Sequence, residues 1–447
     1  MSTVRETPHS LAEPILIIGA GLFGLTQALE LAIRGYEKVT VLDRMVPPVP
    51  DGSSVDFNRV IRYDYADPFY GKIAQEAMKG WTSEPWDSFY HNTGFVMASE
   101  ACNEPYIQQC RKILKEQKQS FTDFDSSREL ARQFPVLRGG LEGSSGYINP
   151  SGGWANAEGA IKELYQRCIE KGVSFMFGQR GTVTSLLRDG ETLLGVHTLS
   201  GPVFCSKVIL STGAWTNRLI NATSATSASG QPVGFVQLTA EEAKTLEAMP
   251  VVINLTSGVF IFPPTPETHL LKVARHSHGF EIDVQLPLVK HVISAPNLLS
   301  NNAASSFIPD EADAALKEGL RYILPQFADR PFARRRLCWY SDTPKGDFLV
   351  DNYPGIKGLF VAAGGAGHAF KFLPVLGRYV VDCFEGKASP EPVVLIATME
   401  VDAVHLGGSY PSQNWHVFKQ NPIDVASFME NIYTVMTATG YGVMDLK

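Results

Sequence analysis

The chain is poor in cysteine: six in 447 residues, at irregular intervals. That excludes a disulfide-stapled scaffold and favours a reduced compartment. No uninterrupted apolar run approaches the ~18 residues a membrane-spanning helix needs, so no membrane partner is expected. Basic charge is not in excess either. The net charge is -7, which gives no default surface for nucleic acid. No solenoid-type repeat is present, and no metal site is expected. The opening "MSTVRETPHSLAEP" lacks the basic start and apolar core of a secretory leader. The closing "MDLK" is not the S-K-L peroxisomal address. A cytoplasmic protein is expected.

What is present is ordinary in bulk: 44% apolar and 19% charged residues, as in soluble globular proteins. The length calls for two or three domains. The informative parts are local. "ILII" at 15–18 is a short apolar run suited to a strand buried on both faces. Gly19, Gly21 and Gly24 follow as G-x-G-x-x-G, and Leu22, Leu25, Leu29 and Ile33 recur at helical spacing. "VTVLD" is a second buried strand ending at Asp43. The glycines permit a tight turn, close approach of backbone to a pyrophosphate, and close packing of helix on strand. Phosphates favour the helix N-terminus, where free N–H groups and the dipole attract negative charge. Asp43 accepts from ribose hydroxyls and would repel the 2′-phosphate of NADP. The motif specifies a dinucleotide site and does not choose between FAD and NAD.

Further strand–glycine units occur near 210 ("KVILSTGAW") and 360 ("GLFVAAGGAGHAFKF"). A helix is expected over Asn156–Lys171, a strand at "VSFMF", and then a β-meander with turns at Asp189-Gly190 and Gly201-Pro202. The chain therefore leaves a nucleotide domain and returns to it. The intervening β-rich, aromatic segments, notably 233–295, form a substrate domain. Residues 388–447 start Pro-rich and end in a possible amphipathic helix bearing Phe428, Ile432 and Val435. A surface strap, an oligomer contact and an active-site cover all remain open for it.

The stretch "RRRLCWYSDTPKGDFLVD" (334–351) sets Cys338 between three arginines and two aromatics. By itself Cys338 reads as a small core residue, since free cysteine is usually buried. "NRVIR" (58–62) carries two arginines, and "LLKVARH" (270–276) a lysine among apolar residues. Each has an ordinary reading too, as surface, interface or snorkelling cations.

With these segments in place, the chain resembles the monomeric sarcosine oxidase family of flavoenzymes. Its wording is nearest to fungal saccharopine/L-pipecolate-type oxidases and fructosyl amino acid oxidases (amadoriases). The resemblance covers about residues 14–387. It rests on the glycine motif, "NRVIR", "LLKVARH", "LCWYSDTPKGDFLVD" and "GGAGHAFKFLPVLG" (364–377). It implies an α/β protein: a Rossmann-like FAD-binding domain (1–90, 155–232, 336–387), a mixed or antiparallel sheet domain for substrate (91–154, 233–335), and an extension (388–447).

The resemblance also implies roles. Gly19, Gly21, Gly24, Asp43, Arg44, Gly364, Gly365, Gly367, His368, Phe370 and Lys371 would hold FAD. Cys338 would be bonded through sulfur to its 8α-methyl, a reaction that a cationic neighbourhood assists. Arg59 would support flavin reactivity. Arg62 and Lys371 would bind the substrate carboxylate, for which a guanidinium fork is suited. Lys272 would activate O2, and His276 would meet the substrate. Two departures stand out. Ile261, in "GVFIFPP", aligns with an active-site tyrosine, and "GSSVDF" before "NRVIR" lacks a histidine of bacterial members. Ile261 is thus expected in an enlarged, more apolar substrate pocket. The implied activity is FAD-dependent oxidation of a secondary amine: the C–N bond of an N-substituted or cyclic α-amino acid goes to an imine, and O2 to H2O2. Alternatives are an amadoriase, or a fungal biosynthetic flavoenzyme that makes an imine for ring closure. A monomer or weak homodimer is expected.

Overall fold

The structure, a computed structural model, describes residues 10–101, 103–285, 292–299 and 307–387, and the backbone of a short strand Val417–Phe418. The rest of the expected extension, with Phe428, Ile432 and Val435, lies outside the described residues.

Two large sheets organise the chain. The first has seven strands in the order Val417–Phe418, Phe348–Asn352, Leu359–Ala363, Val208–Leu210, Ile15–Ile18, Val39–Leu42, Ser174–Met176. From Leu359–Ala363 to Ser174–Met176 every pairing is parallel. Ile15–Ile18 lies in the middle and is fully buried, as an all-apolar run covered on both faces must be. The helix Leu22–Ile33 packs between Ala157–Glu170 and Leu373–Phe384, which explains why most of its residues are buried. Asn156 caps the helix Ala157–Glu170 through its side chain, one residue inside the expected start.

The second sheet has eight strands in the order Phe332–Asp342, Ser227–Gln237, Leu270–Arg275, Val259–Ile261, Val251–Asn254, Phe95–Ser99, Ser145–Asn149, Thr122–Phe124. It is mixed, with one parallel pair, Val251–Asn254 on Phe95–Ser99. One face packs on the helix Asp310–Ile323 through Val259, Ile261, Leu271 and Val273. Gly319 lets that helix approach closely, because a side chain there would meet Val259. The opposite face turns toward the first domain. A small sheet of Arg59–Ile61, Gly153–Ala155 and Tyr90–His91 lies beside it.

The expected divisions at 232/233 and 335/336 fall inside Ser227–Gln237 and Phe332–Asp342, both of which belong whole to the eight-stranded sheet. Gly230, Pro232 and Gly234 make Ser227–Gln237 resemble a loop in sequence. Pro232 is tolerated because its strand pairs on one side only at that position; the second partner begins at Val233. The divisions at 90/91 and 154/155 likewise cut two strands of the small sheet. In the meander, Pro202 lies within an edge strand, Gly201–Phe204, so the expected turn sits two residues earlier. Asp189-Gly190 turns as expected, with Gly190 at φ 56°. No helix among the described residues is long and apolar enough to cross a membrane.

Candidate active site

The glycine turn opens one end of a long groove. Gly19 has φ 107°, a left-handed conformation, and a Cβ on it would strike the Ser211 carbonyl. Gly24 does not line the groove. It lets the helix press on the turn, since a Cβ there would strike the carbonyl of Gly19. Asp43 lies just past its strand, and its Oδ2 accepts from the Ala20 N–H at 2.6 Å. Burial pushes the Asp43 carboxyl up from its usual range, and the backbone N–H groups around it oppose that shift. Arg44 pairs with Asp51 at 2.7 Å and lies 4.8 Å over the Trp215 ring. Gly19, Gly21, Asp43, Arg44 and Trp215 all line this end, a cavity of about 100 Å³.

Two more cavities continue it. A neck of about 80 Å³ shares Gly21, Ser53, Ser54, Ser211 and Gly213 with the first. It shares Arg59, Tyr340, Ala366, Gly367 and Phe370 with a third cavity of about 270 Å³. The groove thus runs from a ribose-type carboxylate, past a glycine-lined phosphate cradle, into a wide chamber between the two sheets. That shape and donor set fit FAD. The nucleotide half would lie on Gly19, Gly21, Asp43 and Arg44, and the flavin half in the neck and chamber. Gly365 lines the neck. Gly364 lines neither cavity. It makes the turn, at φ 69°, and its N–H donates to Ser341 Oγ at 3.2 Å.

The chamber collects Arg59, Arg62, Lys272, His276, Cys338, Gly367, His368, Phe370 and Lys371. Cys338 and Tyr340 share the chamber face of their strand by simple alternation. The same alternation resolves the arginine run. Arg336 points inward and is 3% exposed, whereas Arg335 reaches the other way to Asp313 at 2.5 Å. Arg334 lies over Phe57 and Phe235 at the exposed end of the inward face.

Asp56 organises the floor. This carboxylate, 7% exposed, meets Lys272 at 2.8 Å, Arg336 at 3.3 Å and Arg59 in a very short contact. Burial alone would raise its pKa. The Lys272, Arg59 and Arg336 charges overcome this and hold it well below the usual carboxylate range. Lys272 also donates to the Asn58 carbonyl at 2.9 Å and lies 4.4 Å from the Phe262 ring centre. Burial lowers the Lys272 ammonium to about 7, with Asp56 holding it from falling further. Arg59 Nη2 stands 3.5 Å from Cys338 Sγ.

A second pair of cations lies on another wall. Arg62 reaches the Tyr106 hydroxyl at 3.4 Å and lies over the rings of Tyr65 and Phe95, while its buried Nη1 has no partner. Lys371, 6% exposed, donates to the Tyr65 hydroxyl at 2.9 Å and the His368 carbonyl at 3.1 Å. Asp64 acts on both electrostatically but forms no ion pair with either; burial raises its own carboxyl, which accepts from Asn149 at 2.6 Å. His368 Nε2 faces the Gly346 carbonyl at 2.8 Å, which can only accept, so Nε2 carries the hydrogen. Nδ1 then accepts from Tyr65 at 2.9 Å. The order Lys371→Tyr65→His368→Gly346 requires a neutral imidazole, and burial with Lys371 nearby holds His368 well below its ordinary value. Burial and Arg62 likewise push Lys371 down.

Ile261 does not line the chamber. Its three-residue strand turns it into the core on Asp310–Ile323, and its neighbours Phe260 and Phe262 take the chamber face. A one-position change of face reverses every side chain of a strand. His276 sits at the exposed mouth, its ring 5.7 Å from Tyr340. Sequence reasoning missed Asp56, Tyr65, Tyr340 and the two phenylalanines. For Asp56 a signal existed: a lysine inside an apolar strand demands a buried carboxylate partner, and "VDFNR" supplied one.

A family model for FAD dependent oxidoreductases (DAO) matches residues 14–383. The chain belongs to this family. Among curated relatives, L-saccharopine oxidase of Schizosaccharomyces pombe is 31% identical over 407 residues, covering 85% of this chain and 92% of that protein. Monomeric sarcosine oxidase of Arthrobacter is 23% identical over 372 residues, covering 81% and 90%. Among solved structures, fructosyl amine:oxygen oxidoreductase (Amadoriase I) of Aspergillus fumigatus superposes with a TM-score of 0.76 at 27% identity, over 86% of this chain and 90% of that one. The resemblance drawn from the five sequence blocks, to sarcosine oxidases with saccharopine oxidase and amadoriase neighbours, is met on all three counts. This FAD-dependent oxidoreductase has the expected mixed α/β fold.

Proposed function

We propose that this FAD-dependent oxidoreductase oxidises the C–N bond of an N-substituted or cyclic α-amino acid, a secondary amine, to the imine. The observation that carries the reading is the unmatched cation pair. Arg62, with a buried and unpartnered Nη1, and Lys371, bonded only to neutral oxygens, face one chamber with Cys338 and Lys272. Buried cations without a counter-ion are costly unless a ligand supplies one. A substrate carboxylate fits that demand, bidentate on Arg62 and with a further contact to Lys371. FAD, when bound, supplies the two-electron oxidation and passes the electrons to O2, which leaves as H2O2. The chain's residues do the rest. Arg62 and Lys371 fix the carboxylate and so the position of the carbon beside nitrogen. Phe260 and Phe262 wall the chamber and exclude water. Lys272, anchored by Asp56, offers a fixed cation where negative charge develops on oxygen. Cys338, with Arg59 Nη2 3.5 Å from its Sγ, would hold FAD covalently through that sulfur. The small amino acid and O2 would be its only partners, and it would work in the cytoplasm as a monomer or weak homodimer.

The test is anaerobic mixing with pipecolate, saccharopine, sarcosine, N-methyl aromatic amino acids and fructosyl-lysine. Bleaching of the bound flavin by at least one secondary amine, with peroxide on admitting air, is expected. Bleaching by none of them overturns the reading.

A further inference from the structure

The chamber wall is unevenly charged. Arg59 and Lys272 share a counter-charge behind them, Asp56, whereas Arg62 and Lys371 have no ion-pair partner among the described residues and would take a substrate carboxylate. One acidic residue also lines this chamber among the described residues: Glu104. It stands at the start of the helix Pro105–Glu116, yet its side chain caps no N–H of that helix. It forms no ion pair with any described residue. Two residues on, Tyr106 reaches Arg62, so one helix start ties the acidic and basic parts of the wall together. Met97, Ile253, Leu255 and Phe260 supply apolar lining in the same chamber.

This pattern is complementary to a molecule with an anion at one end, an apolar stretch, and a cation at the other. We propose that Glu104 receives a distal ammonium group, so that the preferred substrates are N-substituted α-amino acids whose substituent ends in a cation. The inference rests on the secondary-amine reading and names its substrate class. A carboxylate on a partly enclosed wall discriminates by sign: it attracts a cationic tail, gains nothing from a neutral one and repels an anionic one. His276 and His278 line the same chamber and are the groups that would favour an anionic tail instead, so the test must include one.

N-alkylglycines with straight tails ending in methyl, ammonium or carboxylate, over a range of lengths, are compared on the holoenzyme by peroxide kinetics and by calorimetric binding. The ammonium tail is expected to exceed the methyl tail by roughly tenfold in kcat/KM, between the effects of exposed and buried ion pairs. In Glu104→Gln the advantage disappears through KM, and in Glu104→Lys it passes to the carboxylate tail. Glu116→Gln, at the exposed far end of the same helix, keeps it. A preference that survives in Glu104→Gln, no preference among tails, or a carboxylate preference in the parent enzyme would overturn the proposal. Absence of turnover with every tail overturns the secondary-amine reading instead; binding that favours the ammonium tail in the parent and not in Glu104→Gln still supports the role of Glu104.

Discussion

Asp56 is one carboxylate serving three cations, and its removal tests what Lys272 does. Asp56 raises the Lys272 pKa, which burial brings to about 7. In Asp56→Asn that support is lost, the folded-state pKa falls, and fewer molecules carry the ammonium at neutral pH. The rate of reoxidation by air, followed as return of the yellow colour, should decline above about pH 7 in the parent. In Asp56→Asn the decline should begin at lower pH, and in Lys272→Met the rate should be low and flat. An unshifted profile in Asp56→Asn would remove Lys272 from the oxygen step. Lys272 signalled that a buried acid was needed, but which acid it meets was not legible, because the pairing joins residues more than two hundred positions apart. The cations were legible: Arg59, Arg62, Lys272 and Lys371 each stand in a distinctive local block, and the fold brings all four into one chamber.

At the scale of elements, alternation along short strands decides which side chains face the chamber. The strand Val259–Ile261 gives the sharpest case. Ile261→Ala empties a core site and should cost ~2–5 kcal/mol in stability, read from denaturant midpoints, with KM little changed. Phe260→Ala opens the chamber wall and should alter KM values across an amine panel with a smaller stability loss. The reverse result would place Ile261 on the substrate side after all. The long runs were readable before the fold: the glycine turn, its helix, Asp43 and the parallel strands all follow from apolar runs and punctuation. A three-residue strand carries too few positions to reveal its register, and Ser227–Gln237 hid behind its glycines and proline.

Across the whole molecule, FAD would be gripped by both sheets, with Cys338 on the second and the glycine turn on the first. Acid-denatured parent protein should stay yellow, and Cys338→Ala should release its colour on denaturation. A ligand that binds the folded state alone stabilises it by mass action, ~2.7 kcal/mol at about a hundred times its Kd. Flavin-free Cys338→Ala should therefore unfold at a lower temperature and recover as free FAD is added. Colour lost from acid-denatured parent protein would exclude the tether. An unchanged midpoint would mean that the cofactor does not join the two halves.

The separation of walls in the chamber has an evolutionary consequence. In the proposed reading Arg62 and Lys371 would meet the carboxylate, while Asp56 with Lys272 forms the floor. Met97, Glu104, Ile253, Leu255 and Phe260 belong to neither group. Mutations there can exchange one amine for another while the reaction itself is inherited intact. A lineage built this way would diversify its diet by repainting one wall, a division consistent with relatives whose names specify saccharopine, sarcosine and fructosyl amines.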